Sequence, residues 1–120
     1  MVDVPEAGVR IEARLGATDA PPLASREMGA TVRAESVTLP LFVRNWQPGD
    51  RFQPLGAPGR RKLQDVFVDR KIPRRERENV PIVTDAAGEI VWVAGVAVAE
   101  RCRIVPSGGR VLLLELRKPR

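Results

Sequence analysis

The sequence predicts a small mixed α+β domain in which β-strands flank one or two short helices. Three observations predict it. Strand-like segments lie toward both ends of the chain, the one good helical pattern falls between them at residues 62–79, and no β-α-β alternation links the two halves. The last point argues against a doubly wound parallel sheet. A chain of 120 residues suits one domain with a real but modest core.

In chain order, residues 1–8 read as a tail or linker, with no basic or apolar stretch of the kind that opens a secretory signal. Val9 to Leu15 alternates apolar and mostly charged residues, the period of a half-buried strand. Residues 16–25, with Pro21-Pro22, read as a loop. Thr31 to Val43 has strand character, interrupted at Pro40. Residues 1–38 match no motif and are expected to be a linker or the end of a preceding subdomain holding one or two strands. Pro48-Gly49 predicts a turn between two extended pieces, and residues 54–59 form a glycine- and proline-rich loop.

Lys62 to Lys71 is the best helix candidate. Leu63, Val66, Phe67 and the stem of Arg70 recur at helical spacing and give one apolar face, with Lys62, Asp65 and Asp69 off it. Pro73 ends this helix and opens a second short one, Arg74 to Asn79. Four strands follow: Val80–Thr84, Ile90–Val93, Val96–Val105 and Arg110–Leu116. Residues 85–88 and 106–109 are turns between them. The apolar run from Ile90 to Ala99 is too short to span a bilayer.

Composition narrows the chemistry. The chain has no histidine, so the commonest general acid–base group is missing. It has one cysteine, Cys102, so it builds neither an internal disulfide nor an ordinary zinc site. Cys102 is expected to be a small residue in a strand, and a reducing compartment suits it. An independent enzyme is therefore the weakest reading, and no catalytic or metal-ligating residue is expected. Asp65 and Asp69 read as salt-bridge partners, and Asp50 as a turn cap or the partner of an arginine.

Charge is the positive signal. Residues 44–77 hold ten basic and four acidic side chains, a net +6 in a chain whose total is +5. Such concentration points to a polyanionic partner for that third of the chain. Arg60, Arg61 and Lys62 come at the expected helix start, where free N–H groups also favour phosphate. Lys71, Arg74, Arg75 and Arg77 form a second cluster, and Arg44 and Arg51 flank the first turn. These nine residues are the candidate nucleic-acid contacts. Gly49, Asp50, Gly56 and Gly59 are the candidate turn residues. A merely solvated basic face, or a docking face for an acidic protein or another domain of the same chain, remains open on composition alone. Trp46 fits either a core position or a base-stacking one, and the scarcity of rings favours the core.

The same stretch resembles a family. Arg44-Asn45-Trp46-Gln47-Pro48-Gly49-Asp50-Arg51-Phe52-Gln53-Pro54-Leu55-Gly56 is similar to the R-x-W-x-x-G-D-R-x-x-P-x-G signature of the C-terminal domain of tRNA(Ile)-lysidine synthases. The likeness continues through Arg61-Lys62-Leu63-Gln64-Asp65, Ile72-Pro73-Arg74-Arg75-Glu76-Arg77, Val80-Pro81 and Ile90 to Gly95. Arg61 departs from the lysine more usual there. The resemblance implies that residues 39–120 are a tRNA-binding domain touching the acceptor stem. It implies a cytoplasmic parent ligase whose catalytic domain uses ATP with Mg. That enzyme attaches lysine to the wobble cytidine of an isoleucine tRNA bearing a CAU anticodon. Partners so implied are that tRNA and the catalytic domain, with a homodimer open. No cofactor is expected in this chain. The family's S-G-G-x-D-S pyrophosphate loop is absent: Ser107-Gly108-Gly109 is followed by Arg110-Val111-Leu112 and reads as a hairpin turn.

Overall fold

A computed structural model describes residues 2–4, 9–17, 29–105 and 109–117. Its strands are β1 (Val2–Val4), β2 (Val9–Ala17), β3 (Gly29–Arg33), β4 (Phe42–Arg44), β5 (Arg51–Phe52), β6 (Arg61–Lys62), β7 (Ile82–Thr84), β8 (Ile90–Val93), β9 (Ala97–Val98) and β10 (Arg110–Arg117). Two short helices, α1 (Leu63–Asp69) and α2 (Arg74–Arg77), lie between β6 and β7. The α+β expectation holds: strands flank the helices on both sides.

One antiparallel sheet has the order β1-β2-β10-β3 and a second has β4-β7-β8-β9, while β5 and β6 pair by themselves. The first sheet joins residues from both sides of the expected 38/39 division, because β10 pairs with β2 on one edge and β3 on the other. One core is shared by the two four-stranded sheets, β5 and α1. Ile11, Val32, Leu112 and Leu114 of the first sheet share a cluster with Val43, Ile82, Val91 and Trp92 of the second and with Phe52, Leu63, Val66 and Phe67. All four residues of β8 are buried, which explains its unbroken apolar run. On α1 the expected face of Leu63, Val66 and Phe67 is buried, each at 2% exposure or less.

Several expectations are corrected. Residues 2–4 are a strand, Val2 facing Ile11 across the β1–β2 pair, not a tail. The segment expected as strand at 31–43 with an interruption at Pro40 is two strands in different sheets, and the break begins earlier, after Arg33. A 3₁₀ turn at Ala34–Ser36 separates them, held by Ser36 Oγ donating to the Arg33 carbonyl at 2.6 Å. The strand expected at 96–105 stops after Val98. Ala99 bridges to Pro54 instead, and Glu100–Cys102 is a 3₁₀ turn that buries Cys102 in the core. Lys62 belongs to β6, because its backbone is extended and pairs with Arg51. The first helix ends at Asp69 and the second at Arg77. Arg70 is exposed, and its stem is not part of the apolar face. Residues 16–17 extend β2. The rest of the loop expected at 16–25, and residues 106–108 of the last turn, lie outside the described residues.

Candidate nucleic-acid interface

The first turn is built around Asp50. Its carboxylate accepts from the backbone N–H of Gln47 at 2.8 Å and from both terminal nitrogens of Arg44, at 3.0 and 2.9 Å. Its carbonyl accepts the N–H of Leu63, the first residue of α1, at 2.8 Å. Gly49 supplies the left-handed backbone at φ +94°, which only glycine adopts readily. Asp50 therefore joins the turn, strand β4 and the start of α1. Of the two arginines that flank the turn, Arg44 and not Arg51 is the one paired with Asp50.

The next loop, residues 53–59, is pinned both from outside and by a bond within itself. Leu55 N–H donates to the Val98 carbonyl at 2.9 Å, and Gln53 Nε2 donates to the Ala57 carbonyl at 2.8 Å. Gly56, at φ +84°, donates its N–H to Glu100 Oε1 at 2.7 Å. A hydrogen bond from Arg103 first, and this N–H second, hold the Glu100 carboxyl down at about 2. The same contact raises the Arg103 guanidinium. Gly59 has no positive φ, and a Cβ there would meet open space.

The nine candidate contacts fall into three groups. Arg44 is tied to Asp50, with a side chain only 24% exposed. Arg77 is half-buried: its Nε donates to the Ile72 carbonyl at 3.0 Å and its guanidinium lies 5.8 Å from the centre of the Phe67 ring. Both hold the fold. Arg60 and Arg61 sit in exposed ion pairs, Arg60 with Glu89 at 3.8 Å and Arg61 with Asp69. Arg51, Lys62, Lys71, Arg74 and Arg75 are exposed. Among the described residues their side chains have no ion-pair or hydrogen-bond partner.

The expected helix-start site is not formed as such. Arg60 precedes β6, Arg61 and Lys62 are in it, and the N–H of Leu63 is taken by Asp50. Trp46 is half-buried against Phe67, edge to face with ring centres 6.0 Å apart. Asp69 is a salt-bridge partner as expected. Among the described residues no cluster of three or more His, Cys, Asp or Glu is placed to hold a metal.

Sequence reasoning missed Asp85 and Arg101. Asp85 is 3% exposed and accepts from the N–H groups of Thr38, Ala87 and Glu89 at 3.2, 3.1 and 3.1 Å, and from Arg101 at 3.3 Å. Burial alone pushes its carboxyl up. The backbone donors and the Arg101 charge outweigh that and leave it below its ordinary 3.8. Arg101 also donates to the Ser36 carbonyl, clamping the chain that passes from one sheet to the other. No local pattern signals this pair, because its partners lie as far as 65 residues apart.

The sequence profile of the family described as TilS substrate C-terminal domain matches residues 41–113. The chain belongs to this family. A crystal structure of a TilS C-terminal domain is 34% identical, covers 95% of this chain and 87% of its own, and superposes with a TM-score of 0.73. Among curated relatives, the bifunctional protein TilS/HprT of Listeria innocua is 53% identical over 68 residues, 57% of this chain and 10% of the relative. The tRNA(Ile)-lysidine synthase of Bacillus subtilis is 41% identical over 81 residues, 66% of this chain and 17% of the relative. The chain thus spans between a tenth and a fifth of the length of these relatives. An N-terminal fragment of the phenylalanyl-tRNA synthetase β-subunit of Pyrococcus horikoshii shares the fold at a TM-score of 0.66 and 13% identity, covering 76% of this chain and 28% of its own. As a TilS C-terminal domain, the chain carries its organising turn, pinned loop and basic segment within the matched span. No helix among its described residues is long and apolar enough to cross a membrane.

Proposed function

We propose that this chain is the tRNA-binding domain of a cytoplasmic tRNA(Ile)-lysidine synthase and grips the acceptor-stem backbone of its tRNA. In this reading a catalytic domain elsewhere in the parent protein uses ATP with Mg to attach lysine to the wobble cytidine of an isoleucine tRNA with a CAU anticodon. The domain described here holds the substrate and performs no chemistry. Its partners are that tRNA and the catalytic domain.

One observation carries the reading. Arg51 and Lys62 face each other across the β5–β6 pair, both exposed and without a partner among the described residues. Like charges directly opposite on paired strands destabilise them, so the fold gains nothing from this arrangement, whereas a phosphate backbone neutralises both. Lys71, Arg74 and Arg75 add three more unpaired cations. Arg60, in an exposed pair that contributes little, exchanges its carboxylate for a phosphate at small cost.

The test is a titration of tRNA into the chain at several salt concentrations. Five phosphate contacts give a log–log slope of roughly −4 to −5, at about −0.9 per contact. Replacing Arg51 and Lys62 together by Ala should flatten it by about 2. An unchanged slope in a folded double variant defeats the reading.

A second reading, docking on another domain or a second copy, is favoured by a different observation. Leu15 and Leu39 are 59% and 57% exposed beside a groove shared with Ile11, Pro40 and Leu112. Retention of that docking after loss of tRNA binding would separate the two.

A further inference from the structure

A cleft of about 490 Å³ runs between the pinned loop and α1, within the roughly 300–1,000 Å³ of small-molecule sites. Pro54, Leu55 and Pro58 line one side and Val66 the other. Its polar groups are Arg61, Asp69 and Arg70. The loop wall is fixed in advance by the bonds from Leu55 to Val98 and from Gly56 to Glu100, and Arg70 is held by its own bond to the Val96 carbonyl at 3.0 Å.

The lining does not suit a phosphate. Asp69 places a carboxylate against the Arg61 guanidinium in the same lining, and its charge repels an anion at close range. It suits a flat ligand with apolar faces and an edge carrying both donors and acceptors. Arginine only donates and an ionised carboxylate only accepts, so the pair together reads an edge of mixed character. A nucleobase has that form, and RNA offers it wherever a base is unpaired.

We propose that this cleft takes one unpaired nucleobase of the bound RNA, with the Asp69 carboxylate accepting from the base and Arg61 or Arg70 donating to it. Guanine fits best. Its neighbouring N1–H and N2 amino donors match the two carboxylate oxygens, and its O6 and N7 acceptors match a guanidinium. Uracil, with no amino group, fits worst. The proposal rests on the RNA-binding reading above and adds a sequence preference that phosphate contacts do not supply.

The experiment uses the whole chain and three RNA hairpins identical in their stems. One is blunt, one ends in a single unpaired 3′ guanosine and one in a single unpaired 3′ uridine. The guanosine hairpin should bind roughly tenfold tighter than the blunt one, the size of one good bidentate base contact, and the uridine hairpin within about twofold of it. Asp69→Asn should remove the guanosine advantage without weakening blunt binding, since Arg61 is then free for phosphate. Ala57→Phe, which fills the cleft from the opposite wall, should remove the same advantage while leaving Asp69 in place. Equal affinities of wild type for all three hairpins, equal gains from guanosine and uridine, or a guanosine preference that survives Asp69→Asn overturns the proposal alone. Failure of wild type to bind any of the three overturns the RNA-binding reading and this proposal with it.

Discussion

The guanidinium of Arg44 grips both carboxylate oxygens of Asp50, at 3.0 and 2.9 Å, across the Pro48-Gly49 turn. The Asp50 side chain is 11% exposed and also accepts the Gln47 N–H. Asp50→Ala strands a half-buried guanidinium and a backbone donor together. We expect a loss of about 2–3 kcal/mol, near the lower end for breaking a buried pair because Arg44 keeps some solvent. Arg44→Ala should cost less, about 1–2 kcal/mol, since Asp50 keeps its backbone donor. Urea unfolding measures both. A change below about 0.5 kcal/mol for Asp50→Ala would mean that the turn holds without it.

Arg75 and Arg77 are two residues apart and should behave oppositely. Arg77→Ala loses its bond to Ile72 and its place over Phe67. We expect about 1–2 kcal/mol of lost stability and little change in the salt slope of tRNA binding. Arg75→Ala should leave stability within about 0.5 kcal/mol and flatten the slope by about 1. Paired thermal melts and salt titrations decide, and a swap of the two phenotypes would contradict the assignment.

The acid limb of stability should carry the mark of Glu100. Its folded value near 2 lies below its ordinary 4.5. A depressed carboxylate contributes stability that is fully present above the unfolded value and lost as pH falls toward the folded one. The window is therefore about pH 4.5 down to about 2. Asp85, also depressed, acts in the same direction below its ordinary 3.8. Glu100→Gln should reduce the pH dependence of the urea midpoint in that window and leave its shape above pH 5 unaltered. An identical acid limb in the variant would count against the Gly56–Glu100–Arg103 anchor.

Phe67 is fully buried and packs against Trp46 in a T-shaped contact. Phe67→Ala should cost about 3–5 kcal/mol and redden the fluorescence of Trp46 as water reaches it. Trp46→Phe should cost much less, below about 1.5 kcal/mol, because the buried indole nitrogen has no hydrogen-bond partner among the described residues. A large loss in Trp46→Phe, with tRNA binding unchanged, would show that shape, not the ring alone, is required there.

How much of this was legible in the sequence follows from the range of each interaction. The apolar face of α1, the Pro48-Gly49 turn and the strand Ile90–Val93 rest on spacings of a few residues, and all stand. The break at 34–36 and the early end of β9 were not legible, since each also takes a partner far along the chain: Arg101 on the Ser36 carbonyl, beside the local bond from Ser36 to Arg33, and Pro54 for Ala99. The candidate site shows the same division. All nine basic residues were visible, but their states were not. Arg44 and Arg77 read as free cations because Asp50 and Phe67 become their neighbours only through the turn and the helix packing.

By itself the sequence determined the α+β class, the basic third of the chain, the lack of histidine and the ordered motif that marks the family. Each is a property of residue types and short spacings, which the chain carries whether folded or not. Only the tertiary structure decided which cations are left over for a partner. It placed Arg51 against Lys62, tied Gly56 to Glu100 across 44 positions and set Arg61 beside Asp69 at the mouth of a cleft. Charge is written into the sequence, but whether a charge is neutralised depends on distances of a few ångströms between elements. Those distances are fixed by the packing of the whole core, not by any one segment.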